Sequence, residues 1–282
     1  MTRKQTFDLQ SHSTCSDGSL PPAEVVERAA RAGVTLFALT DHDTVDGVSA
    51  ALDAAREHDI ALTPAVELSS VGAGREDLHI LGYGIDHTDP ELLATLEDFR
   101  ADRGRRILAM AGRLRELGFE LDDTHYAQRD APGRPHLAEA VLQHPANAAR
   151  LQREGIDGRD ALFPAYLVPG APAYVGRSRP TVGQAIDVIH RAGGVAVWAH
   201  PVWDLDDFEA PLEEFSAYGL DGVEAFYVTY TEEQTRALYA AATRRGLLTT
   251  GSSDFHGPDH ERFNRFLAFS HFGLTPDLGP IG

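Results

Sequence analysis

Near the start of the chain stands the segment Phe7-Asp8-Leu9-Gln10-Ser11-His12-Ser13-Thr14-Cys15-Ser16-Asp17-Gly18. Its first residues alternate between apolar and polar, which is the period-two pattern of a β-strand. Its last residues are small and polar and end in Asp-Gly, which is typical of a turn. We therefore predict a strand that ends in a loop. In α/β proteins, ligands bind at the carboxyl ends of the strands, so Gln10, His12 and Asp17 are expected where a site is built.

The composition predicts a soluble protein with a sizeable core. The chain has 282 residues, of which 43% are hydrophobic, and no apolar run approaches the roughly 20 residues that span a bilayer. The N-terminus lacks a signal-peptide pattern, so we predict a cytoplasmic protein without membrane binding. Cys15 is the only cysteine, which excludes an intramolecular disulfide. The formal net charge of −18 argues against stable binding of a nucleic-acid polymer.

Apolar runs that end in polar residues recur along the chain. Residues 21–32 carry helix start and stop signals, and the predicted strand 35–40 ends at Asp41-His42-Asp43. Further strands are predicted at 60–66, 77–84, 195–198, 222–228 and 247–252. Strands that alternate with helices of about a dozen residues predict parallel pairing with right-handed crossovers. Counting seven strands, we predict a closed or nearly closed barrel.

The alternation stops near residue 89. Helical patterns then cover 91–117 and 134–143, and a stretch rich in Pro and Gly runs from 164 to 176. We predict that residues 1–88 and 179–282 form the barrel. Residues 89–178 are predicted to form an inserted, mostly helical subdomain that covers the substrate.

Histidine and carboxylate side chains lie at or near the predicted strand ends. Eight of them are expected to converge on one face of a parallel barrel: His12, Asp17, His42, Glu67, His79, His200, Asp254 and His256. Five imidazoles and three carboxylates need cations to share one pocket. Ligands of these two types without a thiolate suit Zn, Mn or Fe, and carboxylates can bridge two ions. The sequence therefore predicts a metal site.

These motifs resemble those of the PHP (polymerase and histidinol phosphatase) family. They are Gln-x-His-x4-Asp-Gly, Thr-Asp-His-Asp, Ala65-Val66-Glu67, His79, Ala-His-Pro and Ser-Asp-x-His. The resemblance covers nearly the whole chain and implies an α/β fold, a distorted seven-stranded (β/α)7 barrel with an inserted helical subdomain. It is strongest for the small bacterial phosphoesterases, which include 3′,5′-nucleotide bisphosphate phosphatases and a related exoribonuclease. It implies a hydrolase with two or three divalent transition-metal ions, Mn, Zn or Fe.

The resemblance also implies three groups of metal ligands. They are Gln10, His12, Glu67 and Asp254 for one ion, Glu67, His79 and His200 for a second, and Asp17, His42 and His256 for a third. Gln10 departs from the family, which has a histidine at this position. A neutral amide can coordinate only through its carbonyl oxygen, which is a weaker ligand than an imidazole nitrogen.

The implied substrate contacts lie mainly in the insertion. Gly-Arg-Pro-His at 133–136 matches the family's insertion motif, in which the arginine contributes to phosphate binding. We therefore take Arg134 as a catalytic and substrate-binding candidate and His136 as a catalytic candidate. Additional candidates for substrate binding are Arg177, Arg179 and Trp203.

The predicted function is hydrolysis of a phosphomonoester of a small molecule by attack of metal-bound hydroxide. The expected partner is a small phosphorylated metabolite or a nucleotide, such as a 3′,5′-bisphosphonucleotide. The oligomeric state and the source of the leaving-group proton stay open. Two alternatives also stay open: a 5′-3′ exonuclease acting on short oligonucleotides, and a divergent, weakly active metal-binding protein, which the presence of Gln10 suggests.

Overall fold

The computed structural model describes residues 6–126, 133–176, 179–204 and 207–282, with the backbone alone for Trp203 and Asp204. The chain divides into two compact units, Met1–Leu96 with Arg179–Gly282, and Glu97–Ser178. All described strands belong to the first unit. They are β1 (Phe7–Asp8), β2 (Leu36–Phe37), β3 (Ala61–Leu62), β4 (Ala65–Gly72), β5 (Arg75–Tyr83), β6 (Val195–Trp198), β7 (Gly222–Tyr227) and β8 (Leu248–Ser252).

The described α-helices occur in both units. They are α1 (Pro22–Ala32), α2 (Val48–Glu57), α3 (Pro90–Glu116), α4 (Arg134–Leu142), α5 (Ala148–Glu154), α6 (Arg159–Leu162), α7 (Val182–Arg191), α8 (Pro201–Asp204), α9 (Glu209–Ala217) and α10 (Glu232–Arg245). Helix α1 ends at Gly33, whose φ of 92° is the left-handed conformation that closes a helix. No described helix is both long and apolar enough to cross a membrane.

The strands form a three-stranded sheet in the order β1-β2-β3 and a five-stranded sheet in the order β4-β5-β6-β7-β8. The first sheet is parallel, as predicted, but β5 runs antiparallel to both β4 and β6. The prediction of parallel pairing is wrong there because a two-residue turn, not a helix, joins β4 to β5. Both turn residues, Ala73 and Gly74, have positive φ (47° and 72°), which is the geometry of a tight hairpin.

Isolated bridges extend both sheets beyond the named strands. Ser11 bridges Phe255 after β8, and His42 bridges Glu67 in β4, both in parallel fashion. A single closed seven-stranded sheet is not among the pairings of the described residues, whose strands lie in the two sheets above. Apolar side chains from both sheets, such as Leu36 and Leu81, are buried in one cluster. The polar segments that follow these strands are thereby held on a rigid support.

The second unit is helical and has its own core, built from α3 to α6. Its fully buried side chains include Leu114, Leu137 and Leu162. The predicted helices 91–117 and 134–143 are confirmed as α3 and α4. Helix α10, in the first unit, was not predicted. Its signal is a capping box. The Thr231 hydroxyl accepts from the backbone N–H of Gln234, and the side-chain oxygen of Gln234 accepts from the backbone N–H of Thr231.

Candidate metal centre

The predicted metal-site residues lie in the first unit at the ends of strands or within them. His12 follows β1, His42 follows β2 and His200 follows β6, whereas Glu67 and His79 lie in β4 and β5. His200 has a φ of 32°, so the chain turns sharply there in a conformation that residues other than glycine seldom adopt. Asp254, which follows β8, has a φ of 52°.

Glu67 lies at the centre of these residues and is fully buried. Its Oε1 is 2.8 Å from His79 Nδ1 and 3.5 Å from His200 Nε2. Its Oε2 is 3.0 Å from His12 Nε2 and 3.7 Å from His42 Nδ1. Each carboxylate oxygen therefore faces a different pair of imidazoles, which is the arrangement that a bridging carboxylate needs.

The carboxylate of Asp17 faces three imidazole rings. It lies 3.5 Å from His12 Nδ1, 3.7 Å from His42 Nε2 and 3.6 Å from His256 Nε2. His256 Nδ1 is 2.7 Å from the carbonyl oxygen of Asp254. This contact requires a hydrogen on Nδ1, and Nε2 is the ring nitrogen that faces Asp17.

Asp254 completes the group around His12. Its Oδ1 lies 3.2 Å from His12 Nε2, and its Oδ2 accepts a hydrogen bond of 2.7 Å from the Tyr227 hydroxyl. One ligand atom each from His12, Glu67 and Asp254 lie within 4.8 Å of one another. The Tyr227 contact leaves Oδ1 as the carboxylate atom that faces the group.

Burial and charge set the protonation of these residues. Burial lowers the pKa of His42 to about 4, so its ring is neutral at pH 7 and able to bind a cation. Burial also opposes charge on His12, but its interactions with Asp254 and Glu67 raise its pKa well above the usual value. Burial would raise the pKa of Glu67, yet the neighbouring imidazoles of His42 and His79 hold it well below its usual range.

Buried polar atoms in the described structure test whether metal ions fit this site. Four ligand atoms around Glu67 are buried without a hydrogen-bond partner: His12 Nε2, His42 Nδ1, Glu67 Oε1 and Asp254 Oδ1. Buried polar atoms are normally paired, so unpaired donors and acceptors that face one another need another partner. Imidazole nitrogens and carboxylate oxygens are the ligands that Zn, Mn and Fe accept. The residues therefore fit divalent metal ions.

A cavity of about 230 Å³ opens onto this cluster. It is lined by the predicted metal-site residues except Asp17, and also by Asp77 and Phe263. Its described lining includes no lysine or arginine. Metal ions held by this lining would therefore supply positive charge to an anionic group.

Sequence reasoning missed two carboxylates that support the site. Asp41 accepts hydrogen bonds from the Ser13 N–H and hydroxyl, each 2.7 Å, and from the Ser16 hydroxyl at 2.6 Å, which shapes the loop before Asp17. Glu224 is fully buried in β7, and burial raises its pKa to about 8. Its signal was an acidic residue inside the apolar run 222–228.

Glycine at position 18 lets this loop close. A Cβ at Gly18 would lie 2.2 Å from the carbonyl oxygen of His12, so no larger residue fits without moving the backbone. The Gly18 N–H donates to the Ser13 carbonyl oxygen at 2.9 Å. The Asp-Gly pair that predicted a turn therefore also fixes the backbone beside a candidate ligand.

The predicted substrate contacts are placed differently. Arg134 and His136 lie in the first turn of α4 in the second unit, where His136 Nδ1 accepts from the Gly133 N–H at 3.0 Å. Arg134 donates to the Leu167 carbonyl oxygen at 3.4 Å. Arg179 is half-buried before α7. Arg177 and the Trp203 side chain lie outside the described residues, and the roles of all five residues stay predictions.

Comparisons with known proteins agree with this geometry. A family model described as "PHP domain" matches residues 8–144. The chain is 34% identical to a 3′,5′-nucleoside bisphosphate phosphatase of Chromobacterium violaceum, over 98% of this chain and 93% of that protein. It is also 34% identical to a 5′-3′ exoribonuclease of Haemophilus influenzae, over 92% of each protein.

Solved structures point the same way. An amidohydrolase from Chromobacterium violaceum, with bound sulfate and no metal, superposes with a TM-score of 0.78 at 31% identity. The match covers 98% of this chain and 93% of that chain. Together with the histidine and carboxylate cluster, these similarities identify the chain as a member of the PHP family and a hydrolase of the phosphoesterase class.

Proposed function

We propose that the protein hydrolyses a phosphomonoester of a small molecule, and that the substrate is a nucleotide such as a 3′,5′-bisphosphonucleotide. The observation that carries this proposal is the cluster around Glu67, in which buried ligand atoms face one another without hydrogen bonds. The similarity to the bisphosphate phosphatase of Chromobacterium violaceum supports the choice of substrate. The cytoplasmic location stays a prediction.

We propose that two or three divalent transition ions, Mn, Zn or Fe, are held by the predicted ligands. When bound, such ions lower the pKa of a coordinated water to near 7 and hold phosphoryl oxygens. The neutral ring of His42 and the ionised carboxylate of Glu67 are already in the protonation states that metal binding requires. His12 carries a proton when no cation is present, and it must lose that proton to bind one.

The insertion is proposed to select the substrate. Arg134 supplies a guanidinium for a phosphate group, and charge-assisted hydrogen bonds of this kind are strong. Its guanidinium contacts the Leu167 carbonyl oxygen at 3.4 Å and lies 5.8 Å from the centre of the Phe163 ring. His136, whose Nδ1 accepts from the Gly133 N–H, stays a catalytic candidate. Arg177, Arg179 and Trp203 stay candidates for the same role.

We also propose that the two sheets represent one distorted barrel. Strands β3 and β4 are separated only by Thr63 and Pro64, so they count as one interrupted strand, which makes seven in total. The bridge Ser11 to Phe255 joins the segments that follow β1 and β8, and the bridge His42 to Glu67 joins the segment that follows β2 to β4. Proline is expected to interrupt a strand because it lacks an N–H donor.

The test is a metal analysis combined with a substrate comparison. We expect at least two equivalents of transition metal per chain and release of inorganic phosphate from adenosine 3′,5′-bisphosphate. The exoribonuclease alternative, which the relative from Haemophilus influenzae supports, instead predicts faster release of mononucleotides from a short 5′-phosphorylated RNA. Metal-loaded protein that cleaves neither compound would refute both activities. Glu67→Gln serves as the inactive control, because it removes the shared negative charge.

A further inference from the structure

Gln10 is the first member of a buried row of polar side chains that crosses the interior of the first unit. Gln10, Ser252 and Glu224 are each no more than 1% exposed. The amide nitrogen of Gln10 lies 3.0 Å from Glu67 Oε2, and its carbonyl oxygen lies 3.2 Å from the Ser252 hydroxyl. The same hydroxyl contacts Glu224 Oε1. The row therefore connects Glu224 to the central carboxylate of the candidate metal centre.

The hydrogens in this row can be counted. The amide nitrogen of Gln10 donates to Glu67 Oε2 at 3.0 Å, so the N–H₂ group of the amide faces Glu67. The carbonyl oxygen of Gln10 then faces Ser252, whose single hydroxyl hydrogen must point to it. That hydroxyl has no second hydrogen, so the contact with Glu224 requires a hydrogen from the carboxyl group.

Glu224 can meet this requirement. Its Oε2 accepts from the His200 N–H at 3.0 Å and its Oε1 contacts the Ser252 hydroxyl, so a protonated carboxyl would carry its hydrogen on Oε1 and donate it to Ser252. The donors then run in one direction, from Glu224 to Ser252, then to Gln10 and on to Glu67. Turning the Gln10 amide over would place its carbonyl oxygen against the carboxylate oxygen of Glu67. Two acceptors that face each other in a buried site are unfavourable.

The geometry points to Gln10 as a positioning residue and not a metal ligand: Ser252 and Glu224 fix its amide so that the N–H holds Oε2 of Glu67. This inference rests on the proposed metal site and changes its composition. The group of His12, Glu67 and Asp254 then supplies three protein ligands. Three ligands leave a coordination position open, which is typical of catalytic sites and not of structural ones.

Cobalt(II) binding to the full chain tests the inference. We expect Gln10→Ala to bind as many Co(II) ions as the native protein and to keep its visible absorption spectrum, which reports the ligands of the ion. Affinity for one ion, measured by competition with a chelator, should fall about 10- to 100-fold, as is typical when a partner of a ligand is removed. Ser252→Ala should cause a loss of the same size, because the amide is then free to turn.

Two substitutions of Glu224 test whether a hydrogen-bond donor at this position is what holds Ser252. Glu224→Gln should keep the native affinity, because an amide N–H₂ can donate to Ser252 while its oxygen accepts from the His200 N–H. Glu224→Leu should lose affinity as Ser252→Ala does. Thr250→Val is the matched control, since Thr250 is buried two residues before Ser252 on the same strand but outside the row.

Two results would overturn the inference. One is the loss of a full equivalent of Co(II) with an altered spectrum in Gln10→Ala, which would make Gln10 a ligand. The other is unchanged affinity in both Gln10→Ala and Ser252→Ala. A native protein that binds less than one equivalent would instead overturn the proposed metal site, so the two failures are distinguishable.

Discussion

Replacing Glu224 by glutamine is expected to stabilise the metal-free protein increasingly as the pH rises. Burial raises the pKa of Glu224 in the folded state from its usual 4.5 to about 8. Below pH 4.5 the carboxyl is protonated in both the folded and the unfolded state, and its stability contribution is complete. Above that value the unfolded state ionises first, so the free energy of unfolding falls until the pH passes the folded pKa.

The magnitude follows from the width of this pH window. One pKa unit corresponds to about 1.4 kcal/mol, so the native protein loses about 3 kcal/mol between about pH 6 and the folded pKa. The amide of Glu224→Gln does not titrate and avoids this loss. Because the comparison concerns a slope, a constant packing difference between the carboxyl and the amide cancels.

Urea denaturation in the presence of a chelator provides the assay. The native protein and Glu224→Gln are compared at about pH 6, inside the window, and at about pH 9, above the folded pKa. Glu233→Gln is the control, because Glu233 is exposed at the start of α10. Parallel dependence of stability on pH in the native protein and Glu224→Gln would refute the assignment of a protonated, buried carboxyl.

Three further changes test the site. Arg134→Ala should lower kcat/KM for a phosphorylated substrate about 100-fold or more, from loss of a charged donor worth roughly 3 kcal/mol; unchanged kinetics with retained metal would exclude Arg134. Gly18→Ala should destabilise the protein by about 1–3 kcal/mol in urea denaturation, because the added Cβ meets the His12 carbonyl oxygen. Tyr227→Phe should weaken metal binding about 10-fold or more in chelator competition, since Asp254 loses its hydroxyl donor; native affinity would contradict this role.

Several candidate ligands could be located near strand ends from the sequence because each carries a local signal. His12, His42 and His200 each lie within three residues of the end of an apolar run, and the carboxyl ends of buried strands are where ligand-binding residues are expected. The alternation of strands and helices, which predicts parallel pairing, failed for β5. The turn at 73–74 is only two residues long, and the alternation of strands and helices outweighed this local signal in the prediction.

The role of Gln10 could not be predicted in this way. The orientation of its amide depends on Ser252, which lies 242 residues later in the chain. The resemblance to the family implied that Gln10 is a metal ligand. The hydrogen bonds that indicate a positioning role instead join residues far apart in the sequence. Glu224 was not predicted for a related reason. The role of an acidic residue in an apolar strand depends on the residues that contact it in the fold, which the sequence does not show.

The position of β1 has a consequence for how the chain folds. The carboxylate of Asp8 accepts from the Ser253 N–H and from the Leu267 N–H, each at 2.8 Å, across 245 and 259 residues. The N-terminal strand therefore cannot complete these bonds until nearly the whole chain has been synthesised. The unit Glu97–Ser178 is continuous in sequence and has its own core.

During synthesis, we therefore expect the helical unit to fold before the unit that surrounds it in sequence. Local contacts form quickly, whereas contacts between distant segments must first close long loops. Until β8 arrives, β1 has an open edge on one side, and open edges can pair with other chains. The residues that build the metal centre are thus brought together last. Before that stage, the open edge of β1 can lead to misfolding or aggregation.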